Sequence, residues 1–407
     1  MATYRTSSTV FLVIKEAEFN KGGTFTETDT VSSTADSSLK AEVKSIERKI
    51  RTNSFIGCPT VAGTETASGS LGLEIIPATG NELVGDVVYE VALGQKVVNG
   101  AKIDYWKETG SDFAFAADGN KITTTNTSLE YIKSGDTIVI SGSEKNDGTY
   151  TVTDYVNEHE IHTEEALTDE DAGNTVTCED TTCDRIYPMD SGDANYFKLS
   201  KPCGDEYSLS VKKIVGCDNT DSQTLYVTGI VPSSIKLNFP TGDVCSATFD
   251  LGGAGFTTNT GDDVPAVKCL DTTPYVGKLA KFSVDKKTYE SKNLELTISN
   301  TITDLETITS TGISAKITTK KEIKGSISVL FEDYSELDRM KKNEDAMVYL
   351  RLEADGAKFA IYLPRVRYSS VDISDDGGIL MNKIEFIGYV NDKITGEAFL
   401  LAHKGLN

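Results

Sequence analysis

The sequence predicts an all-β chain in which one β-rich unit with a short helix is written twice, with a smaller β-domain inserted into its first writing. Three observations predict this. Short runs of Val, Ile, Thr, Tyr and Phe alternate with polar residues between clusters of Gly, Asp, Asn and Ser, which marks many short strands. Only two stretches carry a helical pattern. One block of strand, turn and strand recurs more than a hundred residues after its first appearance.

The clearest strand candidates are Thr9 to Ile14, Asp136 to Gly142, Gly148 to Tyr155, Asn293 to Ser299 and Ala357 to Leu363. The helical patterns run from Asn81 to Leu93 and from Ser335 to Asp345, and Asn81 and Ser335 have the chemistry of N-caps. The recurring block is "SSIKLNFPTGDVCSATFDLGG", Ser233 to Gly253, against "SSVDISDDGGILMNKIEFIG", Ser369 to Gly388. Both open on Ser-Ser and place aliphatics two apart, Ile235 and Leu237 or Val371 and Ile373. Each turns at Gly242 or Gly378 and closes on a strand ending at Phe249 or Phe386.

The neighbouring segments correspond in the same order. "GSLGLEI" (Gly69 to Ile75) matches "GSISVLF" (Gly325 to Phe331), each followed by a candidate helix. Tyr196 to Val211 matches Tyr349 to Leu363, read as a hairpin in both cases. Agreement across successive elements predicts a duplication. From Leu71 to Tyr196 is 125 positions, whereas Ile327 to Tyr349 is 22, so the first unit carries 103 extra residues. The expected domains are residues 1–99 with 191–253, an inserted β-domain at 100–190, and a second unit at 254–407. The insertion holds "NDG" at Asn146 to Gly148, a hairpin turn signal.

Composition narrows the function classes. A length of 407 residues predicts more than one core. With 62 acidic and 40 basic residues the net charge is −22, which argues against nonspecific binding to phosphates. No apolar run reaches the roughly 20 residues of a membrane helix, so no membrane segment is expected. The start, "MATYRTSSTVFLVIKEAEF", lacks a signal peptide's basic region and cleavage site, so the expected place of assembly is the cytoplasm. Seven cysteines match no zinc or disulfide framework, and most are expected to be buried thiols. Cys178 and Cys183, five apart, leave both free thiols and a local disulfide open.

No catalytic, cofactor-binding or metal site is expected. His159 and His162 lie three apart in a strand-like run, which directs them to opposite faces. "TDEDAG" (Thr168 to Gly173) places its glycine one position early for a calcium loop and reads as a polar turn or a short helix start. There is no P-loop and no G-x-S-x-G. Two other classes remain beside a structural protein: a β-rich adhesin or fibre-like binding protein, and a carbohydrate-active β-sandwich enzyme with paired carboxylates.

The serial order of several segments resembles the tail tube proteins of long, non-contractile phage tails. These segments are "ERKIRTNSF" (Glu47 to Phe55) before "GSLGLEI", "KNLELTISN" (Lys292 to Asn300) before "KGSISVLFED" (Lys324 to Asp333), and the stretch Phe359 to Asp392. The insertion's Ser134 to Tyr155 is similar to a small β module appended to phage virion proteins. The resemblance implies that each unit is a β-sandwich with a flanking helix, and that sheets of successive units join edge to edge into a closed barrel. Family members with one unit form hexameric rings, so two fused units imply a pseudo-hexameric ring of three chains. It further implies a structural virion protein that stacks into a conduit for DNA delivery and is assembled in the host cytoplasm. The implied partners are further copies of itself, a tape-measure protein and tail-end proteins, with DNA passing through without specific binding.

On that reading, one face of each strand packs the core while the other lines the lumen. The lumen candidates are Ser70 and Glu74, Lys236 and Asn238, Thr248 and Asp250, Ser326 and Ser328, Asp372 and Ser374, and Lys383 and Glu385. They are small, polar or acidic residues apart from Lys236 and Lys383. Two long Ser/Thr-rich connections, Thr24 to Ser38 and Thr301 to Ser314, are either ring-contacting or disordered, and contact with neighbouring rings is the expectation.

Overall fold

The computed structural model describes residues 8–48, 59–98, 106–129, 132, 134–180, 194–199, 207–216, 220–265, 272–278, 280–285, 287–307, 312–390 and 398–405. The chain divides into two compact bodies, one of residues 1–99, 194–389 and 399–407, the other of 100–193 and 390–398. In the larger body, β1 (Thr9–Lys15), β2 (Thr30–Val31), β3 (Ser38–Ile46), β4 (Val61–Glu74), α1 (Asp86–Leu93) and β5 (Gly94–Val97) come first. The smaller body holds β6 (Trp106–Gly110), β7 (Ala114–Ala116), β8 (Lys121–Thr123), β9 (Thr137–Ser141), β10 (Gly148–Asn157), β11 (Glu160–Thr163) and β12 (Val176–Asp180). The chain then returns to the larger body through β13 (Asn195–Leu199), β14 (Leu209–Val215), β15 (Gln223–Pro240), β16 (Ser246–Gly253) and β17 (Gly255–Thr260). It continues with β18 (Lys281–Val284), β19 (Lys287–Thr288), β20 (Ser291–Glu306), β21 (Ile313–Leu330), α2 (Ser335–Lys342), β22 (Ala346–Ala354), β23 (Ala357–Asp376), β24 (Ile379–Gly388) and β25 (Leu400–Lys404).

The larger body is all-β and holds two sandwich units with the same ladder order. In the first, the antiparallel order is β1-β14-β15-β16-β4-β3, with β17 on the free margin of β15. In the second it is β18-β22-β23-β24-β21-β20, with β25 in the place of β17. Each unit has two layers because one long strand serves both. The first half of β15 pairs with β14 and β17, and its second half pairs with β16. Where β15 changes partners, Ser233 is skipped by the ladder, and β23 skips Ser369 at the matching point. An extra residue of this kind bends and twists the strand, so the repeated Ser-Ser marks a bulge.

The second half of β15 also pairs with β20, from Ser234 opposite Ser299 to Pro240 opposite Asn293. The two units therefore share one continuous sheet, β3-β4-β16-β15-β20-β21-β24-β23. Its buried face carries Leu71, Leu73, Ile235, Leu237, Ala247, Phe249, Leu296, Ile298 and Ile327, all fully buried. α1 covers part of this face, with the Tyr89 ring edge-on to Phe249 at 5.1 Å. A second join comes from β25, which lies between β13 and β23.

Several local expectations are corrected. α1 starts at Asp86, because Gly85, at φ 75°, is its N-cap and the Asp86 carboxylate accepts from the Leu83 N–H at 3.1 Å. Asn81 instead accepts from the Asn195 amide at 2.8 Å and the Gly405 N–H at 3.1 Å. α2 is capped one residue before Ser335, and Asp333 accepts from the Ser335 N–H at 2.8 Å. Tyr196 to Val211 is not a hairpin: β13 pairs with β5 and β25, while β14 pairs with β1 and β15. Phe249 lies opposite Ile235, as Ile384 lies opposite Val371, so Phe386 is not its counterpart.

The described parts of the two long connections are structured. Thr24 to Ser38 contains a 3-10 turn and β2, which pairs with β1. Its Thr34 N–H donates to the Gly72 carbonyl at 2.8 Å. Thr301 to Ser314 is mostly ladder, since β20 and β21 run on as a two-stranded arm to Glu306 opposite Ile313.

The smaller body is a seven-stranded assembly in the order β6-β12-β9-β10-β11-β8-β7, around Phe113, Ile122, Leu129, Ile138 and Ile161. The "TDEDAG" segment is a bridge and turn: Glu170 pairs by its backbone with Phe115 and its carboxylate accepts from the Glu144 and Lys145 N–H groups.

His403, on β25, gives the larger body an acid sensitivity. It is fully buried, and its Nδ1–H donates to the Asn81 carbonyl at 3.1 Å. Burial pushes the imidazole pKa down to about 4. Because the unfolded chain takes up this proton near pH 6.5, stability is lost as pH falls from there to about 4, by roughly 3 kcal/mol in all. Urea denaturation at pH 7 and pH 4.5 should show this fall, and His403→Gln should flatten it.

Candidate functional site

The alternation that buries one face of the shared sheet turns the other to solvent, and pairing register fixes which residues meet there. Ser70, Asp250, Ser234 and Ser299 form one row across β4, β16, β15 and β20. Thr248, Lys236, Thr297 and Lys324 form a second. The longest runs from Glu74 through Ser246, Asn238, Glu295, Ser326 and Glu385 to Ser370. Ser328, Lys383 and Asp372 form a fourth row, and Ser374 lies one step beyond, opposite Met381. All twelve candidate residues thus occupy one face of one sheet.

Sequence reasoning missed the contribution of β20. Asn293, Glu295, Thr297 and Ser299 sit on the same face, because β20 joins the units and so lies in the middle of the sheet. Its alternation was readable, but no local signal names a strand's second partner.

The face is mixed in charge. Lys236 pairs with Glu295 at 3.5 Å, and Ser234 donates to the Asp250 carboxylate at 2.6 Å. Glu322 lies between Lys320 and Lys324, and their hydrogen bonds and charges hold its carboxyl below the usual range. These short-range pairs leave no long basic stripe.

Two margins of the sheet lack a strand partner among the described residues. One is the outer margin of β3, which pairs only with β4. The other is the second half of β23 beyond Ser370, which pairs only with β24.

Elsewhere, no group of three or more His, Cys, Asp and Glu among the described residues is placed to hold a metal ion. His162 lies on β11 and His159 in the preceding turn. Cys178 and Cys245 are buried thiols without a disulfide, and burial pushes both pKa values up. Cys183 lies outside the described residues. No described helix is long and apolar enough to cross a membrane.

Comparison with curated proteins gave no match. A family profile for the phage tail tube protein matches residues 6–388, which takes in the strands of both sandwich units from β1 to β24. With nearly the whole chain covered, the protein belongs to the phage tail tube protein family.

Proposed function

We propose that this chain forms rings that stack into a non-contractile tail tube, with the polar face of its shared sheet as the wall of the DNA conduit. The observation that carries the reading is the continuous sheet itself, with four strands from each unit, one apolar face, one polar face and two open margins. A barrel leaves no edge unpaired, and open margins at both ends of a sheet are what such closure consumes. The two units have the same ladder order, which supports a tandem duplication. Three chains then supply six units to a pseudo-hexameric trimeric ring.

The wall suits passage without capture. A basic wall would release counterions from every phosphate it met and hold DNA fast. Here Lys236 is offset by Glu295, and Lys324 by Glu322. Screening over about 8 Å restricts the relevant charges to those on the wall. The reading assigns no catalysis and no cofactor. It takes a tape-measure protein in the lumen and tail-end proteins as partners, with assembly in the host cytoplasm before the tube becomes part of the virion.

Negative-stain electron microscopy of the purified protein tests this. Hollow stacked rings with a six-lobed end view are expected. Isolated particles at every concentration, or discrete trimeric stalks that never polymerise, would favour a fibre-like binding protein and overturn the reading.

A further inference from the structure

The margin of β15 that receives β20 is a template for the margin of β23, which has no strand there among the described residues. Equivalent residues follow from the ladders. Ser234 and Ser370 each follow the bulge and face an acid on the next strand, Asp250 or Glu385. Those acids face Ser70 and Ser326 in turn. Beyond them lie Ser38 on β3 and Glu295 on β20. The β20 segment that pairs with β15 therefore has Ser38 to Glu42 as its counterpart.

We infer that the second half of β23 pairs antiparallel with β3 of a second copy of this chain, from Ser370 opposite Glu42 to Ser374 opposite Ser38. This deepens the ring reading and rests on it. The register transferred from the join inside the chain puts Asp372 opposite Lys40 and Ile373 opposite Leu39. Asp372 and Lys40 are both exposed; within its own chain Asp372 lies opposite Lys383 on β24 without a direct ion pair, and the proposed register puts a second lysine on its open side. Opposite charges directly across a sheet attract, and like charges there repel. The same register continues the apolar face through Ile373 and Leu39, and the polar face through Ser374 and Ser38.

Slips of one or two residues are worse. A slip of one residue would place Asp372 against Leu39 or Ala41 and turn polar side chains into the core. A slip of two would place it against Glu42 in one direction and leave Lys40 without an acid in the other. The join is heterologous, with different margins on the two molecules, so it propagates until the rotation closes a ring.

Asp372→Lys and Lys40→Asp test the inference, singly and combined, in the full chain, with thermal melting to confirm that each variant folds. Each single reversal should lower the assembled fraction in sedimentation and microscopy by about tenfold, and the double variant should restore it. Independently, Ser374→Cys with Ser38→Cys should give disulfide-linked chains that stop at three on a denaturing gel, while either cysteine alone should not. If wild type forms rings, yet single reversals assemble normally and the cysteine pair does not link, the register is wrong and the tube reading stands. If wild type forms no rings, both fall.

Discussion

Glu16→Ala is expected to destabilise the larger body by about 3–5 kcal/mol, the range for leaving several buried donors without an acceptor. Glu16 follows β1 and is almost fully buried. Its carboxylate accepts from the Ser208 and Ser210 hydroxyls at 2.5 and 2.6 Å, and from the N–H groups of Asn20 at 2.8 Å, Gly22 at 3.2 Å and Gly229 at 3.1 Å. Those donors come from the turn after β1, from the start of β14 and from the middle of β15. One side chain therefore terminates hydrogen bonds from three segments far apart in sequence. Chemical denaturation followed by circular dichroism measures the loss. Glu16→Gln preserves volume but puts a donor where an acceptor is needed, so it should recover only part of it. A loss below 1 kcal/mol for Glu16→Ala would mean that water satisfies the exposed donors.

Phe249→Ala should cost a similar amount, about 3–5 kcal/mol, through lost burial and the cavity left behind. Phe249 lies on β16 between Leu71 and Ile235, is fully buried, and takes the edge-on ring of Tyr89 from α1. Removing it loosens the helix as well as the sheet. Its ladder counterpart in the second unit is Ile384, where Ile384→Val should cost only about 0.5–1.5 kcal/mol. Urea midpoints of the two variants compare them directly. A loss for Phe249→Ala no larger than that for Ile384→Val would show that the site collapses to fill the cavity.

What was legible in the sequence was what period and punctuation can carry. Alternation located β15, β16, β20, β21, β23 and β24 and placed the twelve polar candidates on one face, because a strand's two faces are fixed by parity alone. The helix starts were misplaced where cap chemistry was not supplied by the residue that advertised it. Asn81 spends its polar groups on β13 and the segment after β25, while a left-handed glycine begins α1. Tyr196 to Val211 looked like a hairpin because two strand-like runs flank a Gly-Asp turn signal. Its two strands nonetheless take different neighbours, β5 and β25 for β13 and β1 and β15 for β14, a tertiary outcome that no local pattern encodes. The same holds for β20, whose pairing with β15 depends on a residue about 60 positions away.

The insertion between β5 and β13 bears on the order in which the chain folds. In the second unit Ser326 meets Glu385, 59 positions away, whereas in the first Ser70 meets Asp250, 180 positions away. For flexible chain, closing the longer loop costs about 1 kcal/mol more entropy, roughly a fivefold handicap in rate if closure limits the step. If the inserted module collapses first, it takes its residues out of that loop and shortens the distance the remaining chain must search, which offsets the delay.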